Sequence, residues 1–318
     1  MRPTLYISRL LPEPVMAIVR ERFQLVQEPL DTLPSPSALR AGLGQADAAI
    51  VTLGDRIDAA TIQAATRLKI LANYAVGYNN IDLATAQERG LIVTNTPDVL
   101  TDATADLTWA LLLATARRIV EGDALVRSGR WTGWSPTQLL GADVSGKVLG
   151  IIGMGRIGQA VAQRATGFRM TVLYHQRHPL DAASHPREWE YRSLHNLLAE
   201  SDIVTIHVPL TPDTRHLIGA RELGLMKPTA FLINTARGPI VDEGALVETL
   251  ANRTIAGAGL DVYEEEPALH QTLARLQQVV LLPHIGSATL QARVSMGLIC
   301  VDNILAILDG RPALNRIH

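Results

Sequence analysis

The sequence predicts an α/β protein built from two doubly wound parallel-sheet domains, and three observations carry that expectation. The chain has 318 residues, more than one apolar core usually fills. Short apolar runs alternate with helical patterns from the N-terminus onward, the signature of parallel strands joined by helices. Midway, an apolar run from Val148 feeds Gly153-Met154-Gly155-Arg156-Ile157-Gly158 and then an amphipathic helix over Arg156 to Thr166.

In chain order, Thr4 to Ser8, Ala48 to Thr52, Leu68 to Asn73 and Leu91 to Thr96 read as strands, with helices such as Val15 to Arg22 between them. After the turn Asn95-Thr96-Pro97-Asp98, a helical pattern over Asp102 to Val126 carries Leu107, Ala110, Leu111, Ala114 and Ile119 at helical spacing, and reads as a bridge between domains. A second series of strands starts at Val148 and continues through Thr171 to Tyr174, Ile203 to His207, Ala230 to Asn234, Ala256 to Leu260 and Val279 to Leu281. The last helix, Leu290 to Leu308, follows the completed second sheet and is expected to return to the first domain. That makes residues 1–99 with 288–318 one domain and 100–287 the other.

The glycines have a chemical reading. Gly153 permits a tight turn, Gly155 lets the backbone approach a pyrophosphate, and Gly158 lets the helix pack on its strand with its N-terminus toward the phosphates. The plain alternative is a glycine-rich turn without a ligand, but the strand before and the helix after supply the context of a dinucleotide site. An acid about 20 residues further on usually accepts hydrogen bonds from the adenosine ribose. Here the second strand ends at Tyr174-His175 and is followed by Gln176-Arg177-His178. An amide and a guanidinium in place of the carboxylate predict a preference for NADP(H), with NAD(H) possible, because an arginine fork suits a phosphate. The alternative leaves Arg177 as a solvated turn residue.

Composition narrows the class. With 29 basic and 31 acidic residues the formal net charge is -2, and nothing asks for nucleic acid. Cys300 is the sole cysteine, so no intramolecular disulfide forms; it reads as core packing in a reducing compartment. Thr4 to Ser8 reads as a strand rather than a signal peptide, and no apolar run reaches the roughly 20 residues of a membrane span, so the expectation is a cytoplasmic protein with no membrane contact. No metal site is expected.

Three polar residues stand where strands of the second series run into loops, the place where open α/β sheets bind ligands. Arg237 follows Ile233-Asn234-Thr235-Ala236, Glu266 closes Asp261-Val262-Tyr263-Glu264-Glu265-Glu266, and His284 follows Leu281-Leu282-Pro283. Singly, each has a duller reading: a helix-end arginine, one more solvated acid, a loop histidine. Together, GMGRIG, NTARG, GLDVYEEEP and LPHIGSAT resemble the D-isomer-specific 2-hydroxyacid dehydrogenases along nearly the whole chain, with the greatest similarity to the glyoxylate and hydroxypyruvate reductases.

The resemblance implies a Rossmann dinucleotide-binding domain and a discontinuous flavodoxin-like substrate domain. It makes Arg237 the holder of the substrate carboxylate and carbonyl, His284 the proton donor, and Glu266 the partner of the imidazole. In Asn73-Tyr74-Ala75-Val76-Gly77-Tyr78-Asn79-Asn80 the N–H groups of Val76 and Gly77 would cradle the carboxylate, and Leu53 would line the same pocket. Cofactor contacts are implied at Thr104, at Gly153, Gly155, Arg156, Ile157 and Gly158, and at Gln176 and Arg177. Further contacts are implied at His207, Val208, Pro209 and Thr214, and at Thr235, Ala236, Asp261, His284 and Gly286. The implied reaction moves a hydride from NADPH to glyoxylate or hydroxypyruvate. Two alternatives stay open: the same fold acting on D-lactate, D-3-phosphoglycerate or phosphite, and a non-catalytic dinucleotide sensor.

Trp131-Thr132-Gly133-Trp134 places two tryptophans in a polar, glycine-containing connection, and large aromatics are enriched at interfaces. The resemblance assigns this segment to a dimerisation arm and so implies a homodimer; the alternative is that both rings pack on their own chain.

Overall fold

Twelve strands, ten of them on apolar runs and all paired in parallel, appear in the computed structural model, which describes residues 2–181 and 188–317. The chain falls into two compact units, Met1–Leu100 with Ser287–His318, and Thr101–Gly286.

In the first unit, β1 (Thr4–Ile7), β2 (Gln24–Leu25), β3 (Ala48–Val51), β4 (Ile70–Asn73) and β5 (Ile92–Thr94) lie in the order β2-β1-β3-β4-β5. This is the flavodoxin-like order. β3 and β4 are buried along their whole length, which is why they read as unbroken apolar runs rather than alternating ones. Ser35, Asp58 and Asp82 start the helices that follow them by accepting a backbone N–H three residues on. The helix Leu290–Leu308 packs on β4 and on the helix Glu13–Arg22, with Gly297 set against Val15. By length and composition alone this helix suffices to cross a membrane, a property the sequence reading did not assign to it. Its face carrying Ala292, Met296, Cys300, Val301 and Ile304 is core.

In the second unit, β6 (Val148–Ile152), β7 (Thr171–His175), β8 (Trp189–Tyr191), β9 (Ile203–Ile206), β10 (Phe231–Asn234), β11 (Gly257–Leu260) and β12 (Val279–Leu281) form one sheet. Its order is β12-β11-β10-β9-β6-β7-β8, the Rossmann order, with the direction of winding reversing between β6 and β9.

The bridging pattern Asp102 to Val126 is two helices rather than one, Thr101–Ala116 and Ile119–Arg127. The break falls at Arg118, whose φ of 54° is left-handed and whose guanidinium turns onto Glu121. Helical spacing of apolar residues continues across the break, so periodicity alone could not show it. Burial separates the two. The first helix presses Leu111 and Thr115 against Gly259 of β11, where only a residue without a side chain fits, whereas the second buries none of its residues. The short strands β2 and β8 escaped the sequence reading because they lie at sheet edges and carry no apolar run.

Candidate active site

The glycine turn after β6 is built as its sequence requires. Gly153 has φ of 98°, and a Cβ there would meet the backbone of His207 and Val208 at 2.7 Å. A Cβ on Gly158 would fall on the carbonyl of Gly153, so this glycine is what lets the helix Arg156–Ala165 close onto the turn. Gly155 begins that helix, and a Cβ at this position would touch nothing within 4 Å. Exposed backbone at a helix N-terminus, with Arg156 and Ile157 opening the first turn, fits a pyrophosphate and hence a dinucleotide.

Around it, His207 hydrogen-bonds through Nε2 to Thr205 Oγ1 at 2.9 Å, and desolvation pushes its imidazole down to about 3, so the ring is neutral near pH 7. Thr214 Oγ1 donates to Pro209 O at 2.7 Å and accepts the Thr211 N–H at 2.8 Å, closing the loop that carries Val208 and Pro209. Beyond β7, Gln176 Nε2 donates to His178 O at 2.7 Å, and Arg177 is exposed.

At the end of β10, one side chain closes the turn. Asn234 Oδ1 accepts the Ala236 N–H and Nδ2 donates to Arg237 O, both at 3.0 Å. Thr235 Oγ1 lies 2.9 Å from Thr108 Oγ1, and Arg237 Nη1 donates to Ala236 O at 2.6 Å. Desolvation lowers the Arg237 guanidinium from its ordinary range against the opposing charge of Glu266.

At the end of β11, Asp261 is fully buried. Its two oxygens accept the N–H groups of Ile285 and Gly286, each at 2.8 Å, and burial pushes its carboxyl up. Asp261 therefore holds the loop that bears His284. Gly286 lies beside both Asp261 and Thr104, with its would-be Cβ 3.4 Å from Asp261 Oδ2 and 3.6 Å from Thr104 Cγ2.

Glu266 Oε2 lies 2.7 Å from His284 Nδ1, and Glu266 Oε1 accepts the Tyr263 N–H at 3.1 Å. Burial pushes the Glu266 carboxyl up. The His284 hydrogen bond and charge, the Tyr263 N–H and the Arg237 charge outweigh it, and the group stays below the usual carboxylate range. An ionised carboxylate only accepts, so Nδ1 carries the proton of that bond. Nε2 is left for chemistry, on a residue held at φ of 57°.

The first unit carries the other expected loop. Asn95 Nδ2 donates to Val76 O at 2.9 Å and Asn73 Nδ2 to Gly77 O at 2.8 Å. Both carbonyls are thereby tied back. Among the described residues the N–H groups of Val76 and Gly77 have no partner. Leu53 lies in the turn Thr52 to Asp55, which Asn80 holds by donating to Thr52 O and Asp55 O at 3.1 and 3.2 Å. The bracing residues Asn73, Asn80, Asn95 and Asn234 were not singled out in the sequence. Their signal, an asparagine in or beside the turn at a strand's end, is shared by ordinary turns.

The His207 shift has a consequence for stability. Between pH 6.5 and about 3 the unfolded chain takes up a proton at this ring and the folded one does not, so its contribution is intact above pH 6.5 and is lost on acidification through that window. Urea unfolding of His207→Gln across this range is expected to show a shallower loss of stability with falling pH than the parent; equal slopes contradict the assignment.

Residues 109–286 match the family model described as D-isomer specific 2-hydroxyacid dehydrogenase, NAD binding domain. The glyoxylate reductase of Thermococcus gammatolerans is 49% identical, with 98% of this chain and 94% of that protein aligned. A solved structure from Thermus thermophilus superposes with a TM-score of 0.93 at 45% identity, covering 99% of this chain and 100% of that one. The NADPH-dependent glyoxylate/hydroxypyruvate reductase of Sinorhizobium meliloti, solved with NADP and malonate, superposes with a TM-score of 0.89 at 34% identity, covering 100% of this chain and 97% of its own. With its site residues carried on a sheet of Rossmann order, the chain belongs to the D-isomer-specific 2-hydroxyacid dehydrogenase family.

Proposed function

We propose that this protein reduces glyoxylate and hydroxypyruvate to the corresponding 2-hydroxy acids and prefers NADP(H) to NAD(H). The observation that carries the reading is the Glu266 to His284 pair at 2.7 Å, in the same unit as the desolvated Arg237.

Arg237 binds the carboxylate and carbonyl of the 2-keto acid. The dihydronicotinamide cofactor, when bound, supplies the hydride. Negative charge then builds on the carbonyl oxygen, where the fixed Arg237 charge stabilises the transition state more than the ground state. His284 Nε2 gives its proton to that oxygen, and Glu266 keeps the ring oriented by holding Nδ1. General acid catalysis of this kind is worth about 100- to 10,000-fold. The paired N–H groups of Val76 and Gly77, whose carbonyls Asn95 and Asn73 tie back, suit a carboxylate, and the turn bearing Leu53 is braced by Asn80.

The cofactor would be held by Gly153, Gly155, Arg156, Ile157 and Gly158 at the pyrophosphate and by the His207 to Pro209 loop closed by Thr214. Gln176 and Arg177 would serve the adenosine end, and Thr104, Thr235, Ala236, Asp261 and Gly286 the nicotinamide end. The exposed Arg177 at the end of β7 supports a 2'-phosphate there. The single buried cysteine suits a reducing, cytoplasmic setting.

A homodimer fits the surface as well. Trp131 and Trp134 are 51% and 82% exposed, and Ile119, Val120, Val126 and Leu140 are exposed too, an apolar set suited to a second copy of this chain.

Initial rates with glyoxylate, hydroxypyruvate, pyruvate and phosphite, each with both nicotinamide cofactors, are expected to be fastest for the first two with NADPH; a phosphite or pyruvate preference overturns the substrate assignment. His284→Ala should cut kcat by about 100-fold or more while the NADPH dissociation constant stays within twofold, and an unimpaired variant places the proton donor elsewhere. Arg177→Ala is expected to raise KM for NADPH about tenfold and leave KM for NADH unchanged, since one charge-assisted contact is worth roughly a factor of ten; parallel changes contradict the 2'-phosphate role. Light scattering at micromolar concentration should give twice the mass of one chain, and a monomer overturns the dimer.

A further inference from the structure

Arg237, Glu266 and His284 belong to three separate turns, and one residue used in neither binding nor proton transfer touches the surroundings of all three. The Tyr263 N–H donates to Glu266 Oε1 at 3.1 Å. Its hydroxyl donates to Leu282 O at 2.8 Å, two residues before His284. Its carbonyl lies so close to Gly238, the residue after Arg237, that a Cβ on that glycine would fall on it.

The hydroxyl contact matters because the chain just beyond Leu282 has few other holds. Leu282 N donates to Leu260 O at 2.8 Å, but Pro283 has no N–H to give. Between Leu282 and the Ile285 and Gly286 amides held by Asp261, the chain enters the left-handed backbone of His284, a conformation that a non-glycine residue adopts only at a cost. The Leu282 carbonyl is the anchor on the N-terminal side of that strained residue. Tyr263 is half-buried, so the contact is shielded from competing water.

We propose that Tyr263 is a positioning residue that sets the register of the three turns, its hydroxyl holding the His284 loop so that the imidazole meets Glu266 squarely. Tyr263 acts through His284 and touches no reacting atom. The proposal rests on the reading of His284 as proton donor, and its test separates the two.

Tyr263→Phe removes the hydroxyl and keeps the ring; Tyr263→Met, which also lacks the hydroxyl, takes the same readings if the phenylalanine variant does not fold. With glyoxylate and NADPH, kcat should fall about fivefold, the usual worth of one hydrogen bond, while KM for glyoxylate and the NADPH dissociation constant stay within twofold. The low-field proton resonance of the His284 Nδ1–H, identified by its loss in His284→Ala, should weaken or exchange faster than in the parent. Unchanged kcat with an unchanged resonance overturns the proposal, as does a loss of cofactor affinity that accounts for the whole fall. A parent without activity toward glyoxylate or hydroxypyruvate overturns the reaction assigned above, and the resonance still decides the role of Tyr263.

Discussion

The parallel pairing of β10, β11 and β12 is what the rest of the site depends on. Asn234 stands opposite Leu260, and Leu260 opposite Leu281, so three strands far apart in sequence end side by side at the same edge of one sheet. Arg237, Glu266 and His284 follow those ends within a few residues. Their proximity is therefore a property of register before it is a property of any side chain. A slip of one residue in either pairing would turn every side chain on the strand to the other face. The small residues of β11 let the helix Thr101–Ala116 lie close on the sheet and keep the three strands in place.

From this edge the chemistry follows by hydrogen bonding. Asn234 closes the turn that presents Arg237, Asp261 holds the amides beyond His284, and Glu266 fixes which ring nitrogen carries the proton. Glu266 is kept ionised although burial opposes it, because a donor from His284, a backbone N–H and a nearby guanidinium all favour the charged form. His207 shows the opposite balance: burial dominates there and the ring stays neutral.

Much of this was legible in the sequence because the carrying signals are local. The glycine spacing after β6 demands a turn that only glycine can make, and the structure gives Gly153 the positive φ that spacing implies. Apolar runs bounded by polar loops located ten of the twelve strands to within about two residues, while the order of the strands in each sheet was expected only through the family resemblance. What stayed hidden depended on contacts across the fold. The break at Arg118 left the helical period intact, and β2 and β8 are strands by virtue of their neighbours. Asp261 was expected as a cofactor contact, and its hold on the His284 loop shows only once its two oxygens are seen on Ile285 and Gly286, while the bracing asparagines look like ordinary turn residues.

The central claim is that Arg237 and the Glu266-held imidazole of His284 act on one substrate molecule. A crystal structure of the protein with a nicotinamide cofactor and oxalate, a mimic of a 2-keto acid carboxylate and carbonyl, tests it most directly. The account predicts oxalate oxygens on the Arg237 guanidinium and one oxygen within hydrogen-bond distance of His284 Nε2, with Nδ1 still on Glu266. Oxalate bound away from either side chain, or His284 turned off Glu266 in that complex, would contradict it.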